Sequence, residues 1–170
     1  QRPPSFTHIN TRGWILLGGI YALILSGGFM AGTDAGYAYP TWPLMGESFV
    51  PMGYYAHGWE STFESVATIH FNHRILAYFV ALIIGYYTLL TIRSQCSTEA
   101  RLGAWLMLGI LVGQISLGIT TVLSQVAIPI AAAHQVGAVL LLTAAIYWIH
   151  GQKDGTRGVK DLGDKLVVAT

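Results

Sequence analysis

Residues 102–151 read LGAWLMLGILVGQISLGITTVLSQVAIPIAAAHQVGAVLLLTAAIYWIHG, and no Asp, Glu, Lys or Arg interrupts them. One helix needs only roughly 20 apolar residues to cross a membrane, so this stretch is too long for a single span. We expect two membrane-spanning helices here. The turn between them is placed near Ser124, Gln125 and Pro129, because proline tends to begin a helix rather than continue one.

Two more apolar segments lie upstream of this stretch. Residues 13–33 carry no charge, and residues 65–92 carry only Arg74. Of the 170 residues, 53% are hydrophobic and 10% are charged, whereas soluble domains have about 25% charged residues. The expected fold is all-α, an integral membrane four-helix transmembrane bundle with a long outer loop rich in aromatic residues. Its spans are placed at about 13–32, 65–92, 102–123 and 130–150.

Charge and cysteine content exclude several classes of function. A net charge of +1 carries no signal for nucleic-acid binding. A single cysteine, Cys96, excludes an intrachain disulfide and a cysteine-based metal cluster. The chain begins with Gln1, and Gln1–Phe6 do not resemble a signal peptide. We therefore expect a trimmed or processed product, or part of a longer protein.

The positive residues predict an orientation. Eight of the nine Lys and Arg residues lie before span one, between spans two and three, or after span four, and residues 33–64 contain none. Positive residues stay on the cytoplasmic or matrix side, so loop 33–64 is expected to face outward and both termini inward. We divide the chain into a four-span bundle, residues 1–150, and a polar tail, residues 151–170, that is expected to be a mobile end on the inner side.

The outer loop is rich in aromatic side chains. They are Tyr37, Tyr39, Trp42, Phe49, Tyr54, Tyr55, Trp59 and Phe63. Such residues favour the membrane–water interface, which predicts an interfacial cap over the bundle; the alternative is a lid that covers a bound planar cofactor. Asp34 follows span one directly, and we expect it to cap the turn that it forms with Ala35 and Gly36.

His73 and His134 are the candidate ligands. Spans two and four run in the same direction, and the two histidines lie roughly 12 and 6 Å from the outer ends of their spans. Paired axial imidazoles hold haem iron in proteins, and bundles build such sites from facing helices. The alternative is that each histidine only makes a hydrogen bond within the bundle. Glycines in spans one and three would allow close helix packing, the favoured interpretation, or leave room for a macrocycle; they are Gly18, Gly19, Gly27, Gly28, Gly103, Gly109, Gly113 and Gly118.

Two neighbours of His73 complicate the site. His70 lies three residues earlier on the same helix face and is a candidate ligand, a partner of the ligand or a contact to a haem propionate. Arg74 is the one charge within a span and needs an anion or solvent. It is expected either to pair with a propionate or to extend to the outer headgroups.

Three stretches taken together resemble the haem A synthase family of membrane enzymes. They are AGTDAGYAYPTWPLMGESFVP at 31–51, FESVATIHFNHRILAY at 63–78 and QISLGITTVLSQVAIPIAAAHQVGAVLLL at 114–142. That family has eight spans in two similar halves, each with a histidine pair, and this chain resembles the C-terminal half. The resemblance implies haem b as cofactor, with His73 and His134 as axial ligands to its iron.

The resemblance also implies a function and a location. The family oxidises a methyl group of haem O to the formyl group of haem A for cytochrome c oxidase, in the mitochondrial inner membrane or the bacterial cytoplasmic membrane. His70 stands where the family's N-terminal half has a catalytic glutamate, which places catalysis by this chain alone in doubt. Expected partners are haem, the lipid bilayer and a second four-helix half or another copy of the chain. The alternative is a non-catalytic subunit of a respiratory complex, with or without haem.

Overall fold

The computed structural model describes the backbone of residues 11–168 and the side chains of residues 11–152. Its helices are α1 (Thr11–Gly32), α2 (Ser61–Glu64), α3 (Val66–Arg93), α4 (Thr98–Leu123) and α5 (Ile128–Val168). No β-strand occurs in residues 11–168. Four segments are long and apolar enough to cross a membrane, namely Thr11–Gly32, Val66–Arg93, Thr98–Leu123 and Ile128–Gln152. The expected all-α, four-helix membrane fold is therefore confirmed.

Serine hydroxyls and one tight turn define the helix ends. The Oγ atoms of Ser65 and Ser97 accept hydrogen bonds from the first turns of α3 and α4, as N-cap serines do. The turn between α4 and α5 has positive φ values at Gln125 (52°) and Val126 (61°), and Pro129 is the second residue of α5. The turn expected near residues 124–129 is thus found there, and proline begins the helix as expected.

The long helices pack in a ring. α1 contacts α3 and α5, and α4 contacts the same two helices. Consequently α3 and α5, which run in the same direction, lie diagonally across the bundle from each other. We call the end near loop 33–65 and turn 124–127 the loop end, and the end near turn 94–97 the opposite end.

The apolar core fills the half of the bundle nearer the opposite end. Its buried members are Leu16, Ile20, Val80, Ile84, Tyr87, Ala104, Met107, Leu111, Leu141, Ala144, Ala145, Trp148 and Ile149. In the half nearer the loop end, α1 has no buried residue after Ile20, α5 has none between Ile128 and Leu141, and α4 after Leu111 buries only Gln114. In the loop half, α1, α4 and α5 therefore bury few residues, whereas α3 buries Thr68, Ile69, His70 and Phe71 beneath the connecting loop.

The connecting loop packs against the start of α3. The rings of Phe49 and Tyr54 lie edge-on to Phe71, with centroids 6.0 and 4.8 Å away. Asp34 begins a 3₁₀ turn, Ala35–Tyr37, in a left-handed conformation (φ 55°), but its side chain makes no capping hydrogen bond. The expected capping role of the Asp34 side chain is wrong; the residue shapes the turn through its backbone.

Helix α5 extends past the expected end of span four. It continues as helix to Val168, whereas the sequence predicts an end near residue 150. Gly151 is buried against α4, so the close packing of the two helices includes the first residue beyond that boundary. The division into residues 1–150 and a mobile tail at 151–170 stays a prediction.

Candidate functional site

His73 and His134 lie at nearly equal depth below the loop end. His73 follows the first residue of α3, Val66, by seven positions, and His134 follows the first residue of α5, Ile128, by six. At about 1.5 Å per residue the depths are about 10 and 9 Å, closer to each other than the sequence-based boundaries predict. Because α3 and α5 are diagonal to each other, the two imidazoles come from opposite corners of the bundle.

The His73 ring is oriented by the neighbouring helix α1. Its Nδ1 lies 2.7 Å from the Oγ of Ser26, and the Ser26 hydroxyl also lies 2.8 Å from the carbonyl oxygen of Leu23. A methyl group at the next residue, Gly27, would lie 3.3 Å from Cε1 of His73. The imidazole thus occupies space that a larger residue at position 27 would restrict.

His134 has a similar glycine neighbour but no hydroxyl partner. A methyl group at Gly118 of α4 would lie 3.1 Å from Cε1 of His134. Nδ1 of His134 is buried and makes no hydrogen bond of good geometry among the described residues, although the backbone carbonyl of Gln114 interacts with the ring. One turn further along the same interface, Oε1 of Gln114 is also buried and unpaired, and it lies against Gly137.

His70 and Arg74 form a separate cluster beneath the connecting loop. Nε of Arg74 donates to Nε2 of His70 at 3.0 Å. The two Nη groups donate to three loop carbonyls, those of Leu44 (3.3 Å), Tyr39 (3.3 Å) and Thr41 (2.8 Å). Protein groups therefore accept hydrogen bonds from four of the five N–H groups that an arginine carries. All four acceptors are neutral, so the Arg74 guanidinium is hydrogen-bonded but its charge is not neutralised by them.

His70 belongs to this cluster and His73 does not, so the two histidines of α3 differ in which ring nitrogen is available. His70 is fully buried, and because its Nε2 accepts a hydrogen bond from Arg74, that lone pair is occupied. Nε2 of His73 has no hydrogen-bond partner among the described residues. Of the pair expected on this helix face, the structure leaves only His73 with a free Nε2.

The residue types around His73 and His134 suit a flat macrocycle that contains iron. The two imidazoles would be the groups that hold it through the metal. Nδ1 of His134 and the glycines beside both rings lie where α1, α4 and α5 bury few residues. No group of three or more His, Cys, Asp or Glu side chains within the described part of the chain is placed to hold a bare metal ion.

Sequence reasoning missed Ser26 and the loop carbonyls. A usable signal for Ser26 exists: it is a polar residue in an apolar span, six residues before Gly32, and so about 9 Å deep, the depth of His73. Of the glycines considered, Gly27 and Gly118 border the histidine rings, whereas a methyl group at Gly28 would meet nothing within 4 Å.

Comparisons with known proteins give a consistent family assignment. Residues 1–146 match the family model described as cytochrome oxidase assembly protein. A heme A synthase of Nitrosospira multiformis is 41% identical over 133 residues, covering 77% of this chain and 37% of that protein. The heme A synthases of Nitrosomonas eutropha and Granulibacter bethesdensis are 37% and 41% identical, covering 85% and 91% of this chain and 41% and 40% of theirs. The chain spans about two fifths of the length of these curated relatives. No solved structure gives a significant match.

Proposed function

This chain belongs to the haem A synthase family of cytochrome oxidase assembly proteins, and on that premise we propose that it is a four-helix unit that holds haem b for the conversion of haem O to haem A. One observation carries the proposal. Two imidazoles lie at nearly equal depth on diagonal helices, and each borders a glycine of a neighbouring helix. His73 and His134 are the proposed axial ligands.

The chain's own residues would bind and orient the cofactor. His73 and His134 would ligate the iron from α3 and α5, and Gly27 and Gly118 would leave the rings room to face the macrocycle. When bound, haem b supplies one-electron exchange between its ferric and ferrous states. The chain's contribution to that chemistry is the choice of axial ligands and the apolar surroundings, which set the reduction potential.

Arg74 and His70 would act at the edge of the same site. They hold residues 39–44 over the loop end of α3 through the hydrogen bonds described above. The fifth N–H of Arg74 is the group that a haem propionate would use. The connecting loop would then serve as a lid, with its aromatic side chains near the membrane interface.

Partners and location follow from the same premise. We propose that this four-helix unit works with a second four-helix half or as a homodimer. The relatives named above are bacterial, which favours a bacterial cytoplasmic membrane over a mitochondrial inner membrane. Both termini would lie on the cytoplasmic side.

A spectrum tests the proposed ligands. Purified protein should give a reduced-minus-oxidised spectrum of a b-type haem with two axial imidazoles, and this signal should be lost in His73→Ala and His134→Ala. His150→Ala is the matched control, because His150 is exposed near the far end of the membrane-crossing part of α5. A normal b-type spectrum in His134→Ala would contradict the assignment.

A second function is favoured by one observation. His70 stands at the position where the N-terminal half of the haem A synthase family has a glutamate. In this chain the His70 ring accepts a hydrogen bond from Arg74. This favours a non-catalytic subunit of a respiratory complex that keeps the fold. Deletion of the chain separates the two functions: haem A content should fall if the chain serves synthesis and should remain unchanged if it is such a subunit.

A further inference from the structure

The contacts of Ser26 bear on which nitrogen of His73 is protonated. The Ser26 hydroxyl has one hydrogen, and the Leu23 carbonyl at 2.8 Å can only accept it. Both contacts of Ser26 are hydrogen bonds at once if its oxygen accepts from Nδ1–H of His73 at 2.7 Å. In that arrangement the proton of the neutral imidazole is on Nδ1 and the lone pair is on Nε2.

We propose that Ser26 is a positioning residue that holds His73 as an axial haem ligand through Nε2. The inference rests on the proposed function, because it assigns Ser26 a role toward the same haem. Ligating histidines commonly donate their second N–H to a fixed acceptor, which sets the ring orientation and raises the basicity of the ligand. The hydrogen bonds from His73 to Ser26 and from Ser26 to Leu23 have this arrangement, with the acceptor of the His73 N–H on the neighbouring helix α1.

The neighbouring histidines show why this contact is specific. Nε2 of His70 accepts from Arg74, so its lone pair is occupied. Nδ1 of His134 has no partner by hydrogen-bond geometry, and the group that interacts with this ring is the backbone carbonyl of Gln114. Of these three rings, His73 is the one whose Nδ1 is held by a side chain and whose Nε2 is free. The two proposed ligands are thus held differently, His73 by a serine hydroxyl and His134 beside a backbone carbonyl.

A pair of variants of similar shape isolates the hydroxyl. Threonine at position 26 keeps an oxygen that can bond both to the helix carbonyl and to His73, whereas valine has nearly the same shape and no hydroxyl. In the full chain with haem bound, Ser26→Val should retain haem about 10- to 100-fold less tightly than the wild type, the usual effect of removing a partner of a metal ligand. Ser26→Thr should stay close to the wild type.

The midpoint reduction potential of the bound haem provides a second measurement. Loss of packing alone would not shift this potential in a defined direction. An acceptor on Nδ1–H makes the imidazole a stronger donor and favours ferric iron, so the midpoint potential should become more positive in Ser26→Val and return in Ser26→Thr. Ser116→Ala is the matched control. Ser116 is an exposed serine of α4 whose hydroxyl bonds only to the helix carbonyl of Val112.

The outcomes distinguish this inference from the proposed function. If the wild type binds no haem, the proposed function fails before the variants are compared. If the wild type binds haem with two axial imidazoles and Ser26→Val matches Ser26→Thr in both haem retention and potential, the role of Ser26 is overturned. Size-exclusion profiles of the variants identify any that fail to fold. In that case the same comparison is made with a second pair of variants, Ser26→Cys and Ser26→Ala.

Discussion

The two histidines of α3 differ in role because they have different hydrogen-bond partners, not because of their positions on the helix. His70 and His73 share a helix face and differ by less than one turn. His70 gives its Nε2 lone pair to Arg74, while His73 is held at Nδ1 by Ser26. The first ring therefore supports Arg74, which bonds to the loop, and the second keeps a free Nε2 for the proposed iron. A sequence pattern of two histidines three residues apart does not distinguish these roles.

The glycine beside His134 gives a test at the same scale. In Gly118→Ala the added methyl group would lie 3.1 Å from Cε1 of His134, which is tight enough to shift the ring. We expect reduced haem occupancy in Gly118→Ala, measured as haem per protein after purification. Gly113→Ala is the control, because a methyl group there would meet nothing within 4 Å and alanine favours helix by about 1 kcal/mol. Equal occupancy in the two variants would show that the space beside His134 is not needed.

At the scale of elements, Arg74 joins the connecting loop to α3. A lysine at this position would keep the charge but lose the planar fork that serves separated acceptors. Hydrogen bonds to charged groups contribute about 1.5–3 kcal/mol each, so Arg74→Lys should make local opening of the loop at least about tenfold more frequent. Hydrogen exchange measures this directly, at the bonded amides of Met45 and Gly46.

A second arginine provides the comparison for that experiment. Arg93 is the last residue of α3 and is exposed at the opposite end of the bundle. Arg93→Lys should leave exchange at Met45 and Gly46 unchanged. If Arg74→Lys also leaves it unchanged, the carbonyl contacts do not hold the loop and the aromatic contacts to Phe71 become the better explanation.

Helices α4 and α5 depend on glycine for their close approach. In Gly103→Ala the added methyl group would lie 2.7 Å from the backbone Cα of Trp148, and backbone cannot move aside as the end of a flexible side chain can. Overpacking of this kind costs about 1–3 kcal/mol, so we expect a lower unfolding temperature in detergent. Gly109→Ala on the same helix, with nothing within 4 Å of the new methyl group, should unfold at or above the wild-type temperature. Matching temperatures in the two variants would contradict the packing argument.

For the whole molecule, the sequence predicts the bundle well and the site's supporting contacts poorly. The four apolar segments and the turn before Pro129 depend on local composition, which is visible along the chain. Apart from His70, the partners of Arg74 are backbone carbonyls 30 to 35 residues away, and every residue type has such a carbonyl. Ser26 lies 47 residues from His73, so their pairing depends on how α1 and α3 pack. The missed features are therefore those that arise only when helices meet.

The two halves of the bundle differ in a way that suits the proposed cofactor. Near the opposite end, large apolar side chains are buried, and Trp148 stacks on Tyr87 and donates to Thr91 at 3.0 Å. Near the loop end, α3 buries Ile69 and Phe71 beneath the connecting loop, whereas histidines, glycines and Gln114 occupy the facing surfaces of the helices. Stability therefore comes mainly from the first half, which leaves the second half free to hold a ligand at modest cost to the fold.

The orientation of this asymmetric bundle is the remaining prediction. The distribution of Lys and Arg places loop 33–64 outside and turn 94–97 inside, so haem would lie nearer the outer surface. In a Cys96→Ser background, Glu47→Cys and Gln95→Cys place one thiol at an exposed position on each side. A membrane-impermeant maleimide added to intact cells should label Glu47→Cys and should label Gln95→Cys only after the membrane is opened. The reverse pattern would invert the bundle and place the histidine pair near the inner surface, because both histidines lie about 10 Å from the loop end.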